Sequence, residues 1–149
     1  MAVRDMLISM LHLTVWAQGP TPRGPWKELQ ADYKRFLGSY CQITEKFYKS
    51  EGEMLANWPE GGPILMLDAG GASLSSEAWA LKVGRYVDAG DKLHLLLGGP
   101  DGWGAEAKER ARDKLALSAM TFPHDAALTL FYEQLFRAMT IIQGRAYHR

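Results

Sequence analysis

Short runs of β-forming residues recur along the chain, separated by segments with helical spacing. The later runs are almost continuously apolar, which is typical of strands that are buried on both faces of a sheet. The pattern predicts five strands, at Leu11 to Ala17, Gln42 to Tyr48, Pro63 to Leu67, Leu93 to Leu97 and Lys114 to Met120.

The segments between these strands have the spacing of amphipathic helices. In the first of them Trp26, Leu29, Tyr33 and Phe36 share one face, and Gly38 supplies the stop. Helices are predicted at Pro25 to Leu37, Glu51 to Asn57, Ser75 or Ser76 to Val87, Ala105 to Asp113 and Pro123 to Gln143. Strands alternating with helices indicate an α/β fold with a largely parallel sheet.

With 149 residues, 47% of them hydrophobic, the chain can build one core but is too short for two lobes. The apolar stretch from Met6 to Val15 is too short to span a bilayer and does not follow a convincing basic region. We therefore expect residues 10–149 to form a single domain and residues 1–9 to be an N-terminal extension. The single cysteine, Cys41, excludes an intrachain disulfide and fits the reducing cytoplasm.

The charges balance, with 17 lysine and arginine residues against 17 aspartate and glutamate residues. A neutral total counts against a protein that binds nucleic acid along its whole surface. The distribution is uneven, however, because Arg137, Arg145, His148 and Arg149 make the C-terminal part basic.

Three loops follow predicted strands and are the places where an α/β sheet binds ligands. They are the turn after Leu67, the glycine loop that begins at Gly98 and Gly99, and the segment from Leu117 to Phe122. Glycines would let the backbone approach a ligand closely, although Gly98 and Gly99 are also compatible with an ordinary turn. The segment from Leu117 is likewise compatible with a buried strand that leads into a helix with proline at its start.

Several other kinds of site are excluded by the sequence. The glycine loop is neither a Walker A loop nor a G-x-G-x-x-G motif, and no nucleophile elbow is present. No metal site is expected, because the four histidines are scattered and Cys41 has no partner motif. Glu133 and Arg137, four residues apart, are most simply a stabilising surface pair.

Four motifs in order carry a more specific resemblance. They are Leu-Leu-Leu-Gly-Gly-Pro-Asp-Gly at 95–102, Leu-Ala-Leu-Ser-Ala-Met-Thr-Phe-Pro-His at 115–124, Glu-Gln-Leu-Phe-Arg-Ala at 133–138 and Tyr-His-Arg at 147–149. Leu67-Asp68 and Leu74-Ser75-Ser76-Glu77 extend the match, which covers essentially Leu11 to Arg149. The chain resembles the large-subunit ribosomal RNA methyltransferase H family, of the SPOUT class.

The resemblance implies a SPOUT-type α/β knot, in which the C-terminal part of a largely parallel sheet is tied in a trefoil knot. It implies S-adenosylmethionine as cofactor and the three loops as its pocket. The residues expected to bind the cofactor are Leu67, Gly98, Gly99, Leu117, Ser118, Ala119, Met120, Thr121 and Phe122. It also implies a cytoplasmic enzyme that acts without a metal or a membrane.

Members of the family methylate N3 of a pseudouridine in 23S ribosomal RNA, the large-subunit RNA of the ribosome. The N3 proton must leave, so a general base or polarising contact is expected, with His148, Arg137 and His124 as the candidates. Tyr147, His148 and Arg149 are expected to bind RNA and to enter the active site of a partner subunit. We expect a homodimer whose interface uses the apolar stripe of the last helix, with Phe131 and Met139.

The chain departs from the family at two positions that are commonly basic, now Leu128 in the last helix and Ala72 after the Leu-Asp turn. The segment between Phe47 and Glu51 is also shorter than usual. Both substitutions are expected to remove positive charge near the RNA. Alternatives therefore remain: a SPOUT methyltransferase that acts on another RNA such as tRNA, a non-catalytic dimeric RNA-binding module, or a plain nucleotide-binding domain.

Overall fold

The computed structural model describes residues 10–90 and 92–147. Its five strands are β1 Leu11–Gln18, β2 Cys41–Tyr48, β3 Ile64–Ser73, β4 Lys92–Leu97 and β5 Asp113–Ala116. Its five helices are α1 Gly24–Leu37, α2 Glu51–Ala56, α3 Ser76–Asp88, α4 Ala105–Arg110 and α5 His124–Ile142. The predicted alternation of strands and helices is confirmed for the described residues.

The strands form one sheet in the order β2-β1-β4-β3-β5, and every pairing is parallel. The α/β fold with a parallel sheet is therefore confirmed. Two helices begin at serine caps. At the start of α2 the Ser50 hydroxyl accepts a hydrogen bond from the backbone N–H of Glu53, and at the start of α3 the Ser75 hydroxyl accepts one from the backbone N–H of Ala78. Ser75, rather than Ser76, is thus the cap.

One face of the sheet packs against α1, α3 and α5 and holds the larger core. The stripe of α5 that contains Phe131 and Met139 lies in this core, with exposures of 0% and 3%. These side chains are committed to their own domain, so the prediction that they form a dimer interface is wrong. Leu128 is also fully buried in the core.

The other face of the sheet is covered in part by α2 and α4. A smaller core forms here, around Trp16, Met54, Met66, Leu96 and Trp103. No helix in the described part of the chain combines the length and the apolar content needed to cross a membrane.

The third strand continues beyond the predicted end at Leu67. After a shift of register between Leu67 and Ala72, it pairs again with β5, and Ala72 remains exposed. Gly71 makes this possible, because a Cβ at that position would lie 2.7 Å from the carbonyl carbon of Lys114. Only a residue without a side chain allows the two backbones to approach so closely.

The predicted ends of α4 and β5 are also corrected. The helix ends at Arg110, and the strand begins at Asp113 and ends at Ala116 instead of Met120. Beyond the strand the backbone bonds locally: the backbone N–H of Met120 donates to the Ser118 hydroxyl at 3.0 Å.

Candidate cofactor and RNA site

A cavity of about 510 Å³ opens at the carboxyl edge of β3, β4 and β5. The three predicted loops meet in its wall, and we call it the loop cavity. Eight of the nine residues that were expected to bind the cofactor line it, namely Leu67, Gly98, Gly99, Leu117, Ser118, Met120, Thr121 and Phe122. Ala119, the ninth, is exposed and is not among the lining residues.

Trp103 joins two of the loops. Its indole is 9% exposed, and its Nε1 donates a hydrogen bond to the Leu67 carbonyl at 2.9 Å. The same ring lies against Gly98, where a Cβ would come within 3.0 Å of Trp103 Cε2. Pattern analysis did not identify Trp103; the available signal was an aromatic residue directly after the tight turn at 99–102.

The two glycines of the loop have neighbours within the protein. A Cβ at Gly99 would lie 3.0 Å from Gln18 Oε1, just as one at Gly98 would meet Trp103. Packing against the Trp103 indole therefore explains the absence of a side chain at Gly98 without a ligand. At Gly99 the neighbouring atom is the end of the flexible Gln18 side chain, so packing alone does not require a glycine there.

Asp68 places a carboxylate in the wall of the loop cavity, beside Ala69 and directly after Leu67. Asp68 belongs to the family motif at Leu67-Asp68, but the motif alone indicates no role for it. A carboxylate here makes one side of the cavity suited to a cationic group. Other parts of the cavity wall are apolar and include Leu97 and Leu115.

His124, the first residue of α5, also lines the loop cavity. Its Nδ1 lies 3.1 Å from Asp125 Oδ1, and because a carboxylate only accepts, Nδ1 carries the proton of this bond. Its Nε2 is buried and has no hydrogen-bond partner among the described residues. A buried ring nitrogen of this kind is available to a ligand.

A second group of predicted residues lies elsewhere on α5. Glu133 Oε1 accepts from Arg137 Nη2 at 2.6 Å, from Arg137 Nε at 3.0 Å and from the Tyr147 hydroxyl at 3.0 Å. The Tyr147 ring packs at 4.9 Å from the Phe136 ring, and Arg137 lies over it at 4.9 Å. The expected Glu133–Arg137 pair is confirmed, but it also anchors the C-terminal segment.

These contacts settle the charge of both groups. The hydrogen bond to Glu133 raises the pKa of Arg137, which therefore stays cationic. Burial, together with the hydrogen bond to Glu133, raises the pKa of Tyr147 to about 12, so its hydroxyl stays protonated at neutral pH. Arg137 can polarise or hold an anion but cannot accept a proton.

Within one chain the two groups are far apart. Arg137 lies 13 residues beyond His124 on the same helix (124 to 137), which corresponds to about 20 Å at roughly 1.5 Å per residue. His148 and Arg149, the other predicted residues of the tail, lie outside the described residues. No cluster of three or more potential metal ligands occurs in the part of the chain that the structure describes.

Comparisons with known proteins identify the class. The family model described as "Predicted SPOUT methyltransferase" matches residues 11–148. A solved structure concerned with "2-OH methylation of C/U34 on tRNA" superposes with a TM-score of 0.56 at 15% identity, over 93% of this chain and 97% of that one. The SpoU methyltransferase AviRb from Streptomyces viridochromogenes, solved with AdoMet, gives a TM-score of 0.51 at 14% identity, over 96% and 63%. The fold is that of the SPOUT methyltransferases.

The particular family follows from sequence identity. The chain is 42% identical to a Rhizobium etli protein named "Ribosomal RNA large subunit methyltransferase H", over 93% of this chain and 99% of the relative. It belongs to the ribosomal RNA large subunit methyltransferase H family.

Proposed function

We propose that the chain binds S-adenosylmethionine in the loop cavity and transfers its methyl group to N3 of a pseudouridine in 23S ribosomal RNA, as a homodimer in the cytoplasm. The observation that carries the proposal is the loop cavity, built by three strand-end loops in a member of the methyltransferase H family. AviRb, a neighbour in fold, was solved with AdoMet. The name of the Rhizobium etli relative supports the RNA substrate.

The residues of the loop cavity fit this cofactor. The volume of about 510 Å³ falls within the range of roughly 300–1,000 Å³ that is usual for small-molecule sites. Leu97, Leu115 and Leu117 supply apolar walls for an adenine ring. Asp68 supplies a negative charge toward a cationic end of the ligand. When bound, the cofactor would supply a methyl group carried on a positively charged sulfur, with the neutral thioether as the leaving group.

The target nitrogen must lose its proton as it gains the methyl carbon. We propose His124 as the proton acceptor among the described residues, because Nδ1 donates to Asp125 and leaves the lone pair of Nε2 free. Arg137 remains a candidate for a polarising contact, since it stays cationic. His148 stays a candidate from the sequence alone.

A second copy of the chain would bring these groups together. Arg137 lies about 15 Å along α5 from Ala127, which lines the loop cavity, at roughly 1.5 Å for each of ten residues. Tyr147 packs against Arg137, so a partner's copy of both residues would be needed at the cavity. Trp26, Leu29 and Phe36 on the outer side of α1 are 39%, 41% and 46% exposed and offer an apolar surface for such a dimer. This surface replaces the stripe with Phe131 as the proposed interface.

We further propose the trefoil knot that the family resemblance implies. The return of β5 to the far side of β3, after β4 has been placed on its near side, supports it. The close backbone crossing at Gly71 also supports it.

The test uses ribosomes from a strain that lacks this protein. Incubation with the purified chain and S-adenosylmethionine should add the mass of one methyl group to a single 23S fragment, at a pseudouridine. A methyl group gained by tRNA instead would support the other-RNA alternative and contradict the ribosomal substrate. Failure of the chain to bind S-adenosylmethionine in calorimetry would contradict the enzyme proposal and favour a non-catalytic RNA-binding module.

A further inference from the structure

Strands β1, β2 and β4 leave part of one side of the sheet uncovered, between its amino-terminal edge and the smaller core around Trp16. The side chains that alternate onto this side are exposed or half-buried, in contrast to Leu11, Leu13 and Leu93 on the other side, which are buried. We call this region the open sheet face; it consists of His12, Thr14, Gln42, Thr44, Lys46, Lys92 and His94.

The strand register makes the open sheet face continuous. His12 pairs with both Gln42 and Lys92, and Thr14 pairs with both Thr44 and His94. With strands about 4.8 Å apart and a rise of roughly 3.3 Å per residue, the three strands present an area of about 10 by 13 Å. Every residue of the open sheet face carries a side-chain hydrogen-bond donor.

The open sheet face bears charge of one sign. None of its described residues is acidic, although the whole chain has as many acidic as basic residues. The pKa of His94 is lowered first by burial and also by the nearby charges of Lys46 and Lys92. The two lysines therefore act on the same small region, and they supply its positive charge when His94 is neutral.

A chain of contacts holds the central part of this face in place. The Lys46 ammonium lies 4.3 Å from the centre of the Trp16 ring, and Trp16 Nε1 donates to His94 Nδ1 at 3.1 Å. Since Nδ1 accepts, His94 Nε2 carries the proton and donates to the Gly61 carbonyl at 2.7 Å. The Lys46 ammonium is thus positioned before any partner binds, which lowers the entropy cost of binding.

We propose that the open sheet face binds the phosphate backbone of the ribosomal RNA substrate, at a second contact away from the methylation site. Lysine ammonium groups and threonine hydroxyls are donors that phosphate oxygens accept. The row that contains His12 and Lys92 lies about 17 Å from the carboxyl edge of the sheet, at roughly 3.3 Å for each of five residues (12 to 17). A substrate as large as ribosomal RNA can span this distance, and the inference rests on the proposed function.

The test measures methyl transfer to large ribosomal subunits by a double variant, Lys46→Gln with Lys92→Gln. The logarithm of the binding constant falls linearly with the logarithm of the salt concentration, and each phosphate contact contributes about 0.7–0.9 to this salt slope. If the contact contributes nothing at 1 M salt, its loss lowers the affinity about four- to sixfold at roughly 0.15 M salt. For two lysines we expect KM for the subunit to rise about 15- to 30-fold. The magnitude of the salt slope should fall by about 1.4–1.8. Lys46→Arg with Lys92→Arg should keep the parental KM.

Arg85→Gln is the matched control, because Arg85 is an exposed cation on α3, which packs on the opposite side of the sheet. Its KM should stay within twofold of the parent's. Thermal unfolding of each variant checks that the sheet is intact. An unchanged KM and salt slope in a folded double variant would overturn the inference, whereas the proposed function fails only if the parent itself transfers no methyl group. A loss of affinity for subunits with unchanged affinity for deproteinised 23S RNA would assign the face to a ribosomal protein and also overturn it.

Discussion

Replacement of Trp103 by phenylalanine tests how the loop cavity is held together. The change removes the Nε1–H that donates to the Leu67 carbonyl at 2.9 Å and leaves a buried acceptor without its partner. An unsatisfied buried group costs about 1–3 kcal/mol, and the space left by the smaller ring adds about 1 kcal/mol. We therefore expect the free energy of unfolding to fall by about 2–4 kcal/mol, measured by urea denaturation at fixed protein concentration.

The same variant should bind S-adenosylmethionine more weakly. Trp103 fixes both Leu67 and Gly98, so without it the ligand must order two loops as it binds. A cost of about 1.4 kcal/mol corresponds to a tenfold rise in Kd, which titration calorimetry resolves. Trp58→Phe is the control: it makes the same chemical change beside the same small core, but Trp58 does not line the cavity. Equal cofactor affinity in Trp103→Phe and the parent would refute the role assigned to Trp103.

Three further perturbations have defined outcomes. Glu133→Gln should lower the Tyr147 pKa from about 12 toward 10, measured by NMR of labelled tyrosine, because it removes the negative charge that the hydroxyl contacts. It should also reduce methyl transfer at least tenfold while the cofactor Kd stays within twofold of the parent's. An unchanged Tyr147 pKa would contradict the proposal that Glu133 anchors the C-terminal segment. Gly71→Ala should destabilise the fold by more than about 2 kcal/mol, because its Cβ would meet backbone at 2.7 Å. Gly52→Ala on α2, whose Cβ would make only an ordinary contact with Ser50 Oγ at 3.9 Å, should be neutral or stabilising in the same urea titration. Burial raises the Cys41 pKa to about 12, so the native protein at pH 8 should react with a thiol reagent only at its unfolding rate, and rapid labelling would contradict that burial.

The sequence predicted the elements of this fold well because each depends on local periodicity and turn chemistry. The buried run at Leu93 to Leu97 and the cap at Ser75 are examples, since both can be recognised within a few residues. The continuation of β3 past Leu67 could not be recognised in this way. It depends on pairing with β5, some 40 residues later, and on the close approach of the two backbones at Gly71.

The candidate site residues show the same contrast between features that the sequence predicts and features that depend on distant contacts. The three loops were found because strand ends in a parallel sheet gather at one edge, which is a property of topology. Trp103 and the tail contacts of Tyr147 were not found, because each depends on a partner in another element, 36 and 14 residues away. The prediction of a dimer interface at Phe131 failed for a related reason: periodicity identifies the apolar side of α5 but not whether Phe131 packs inward or against a second chain.

Gly98 illustrates what this division means for the design of experiments. From the sequence alone, a glycine in a cofactor loop is explained by the close approach of a ligand. A bulky substitution at that glycine would then test whether the cofactor binds there. In the structure a Cβ at Gly98 would meet the Trp103 indole at 3.0 Å before any ligand is considered. Loss of binding in a Gly98 variant would therefore follow equally from a displaced Trp103 and from a blocked cavity. Met120 lines the same cavity and is 75% exposed, so enlargement there changes the space for a ligand without disturbing the packing that builds the loops.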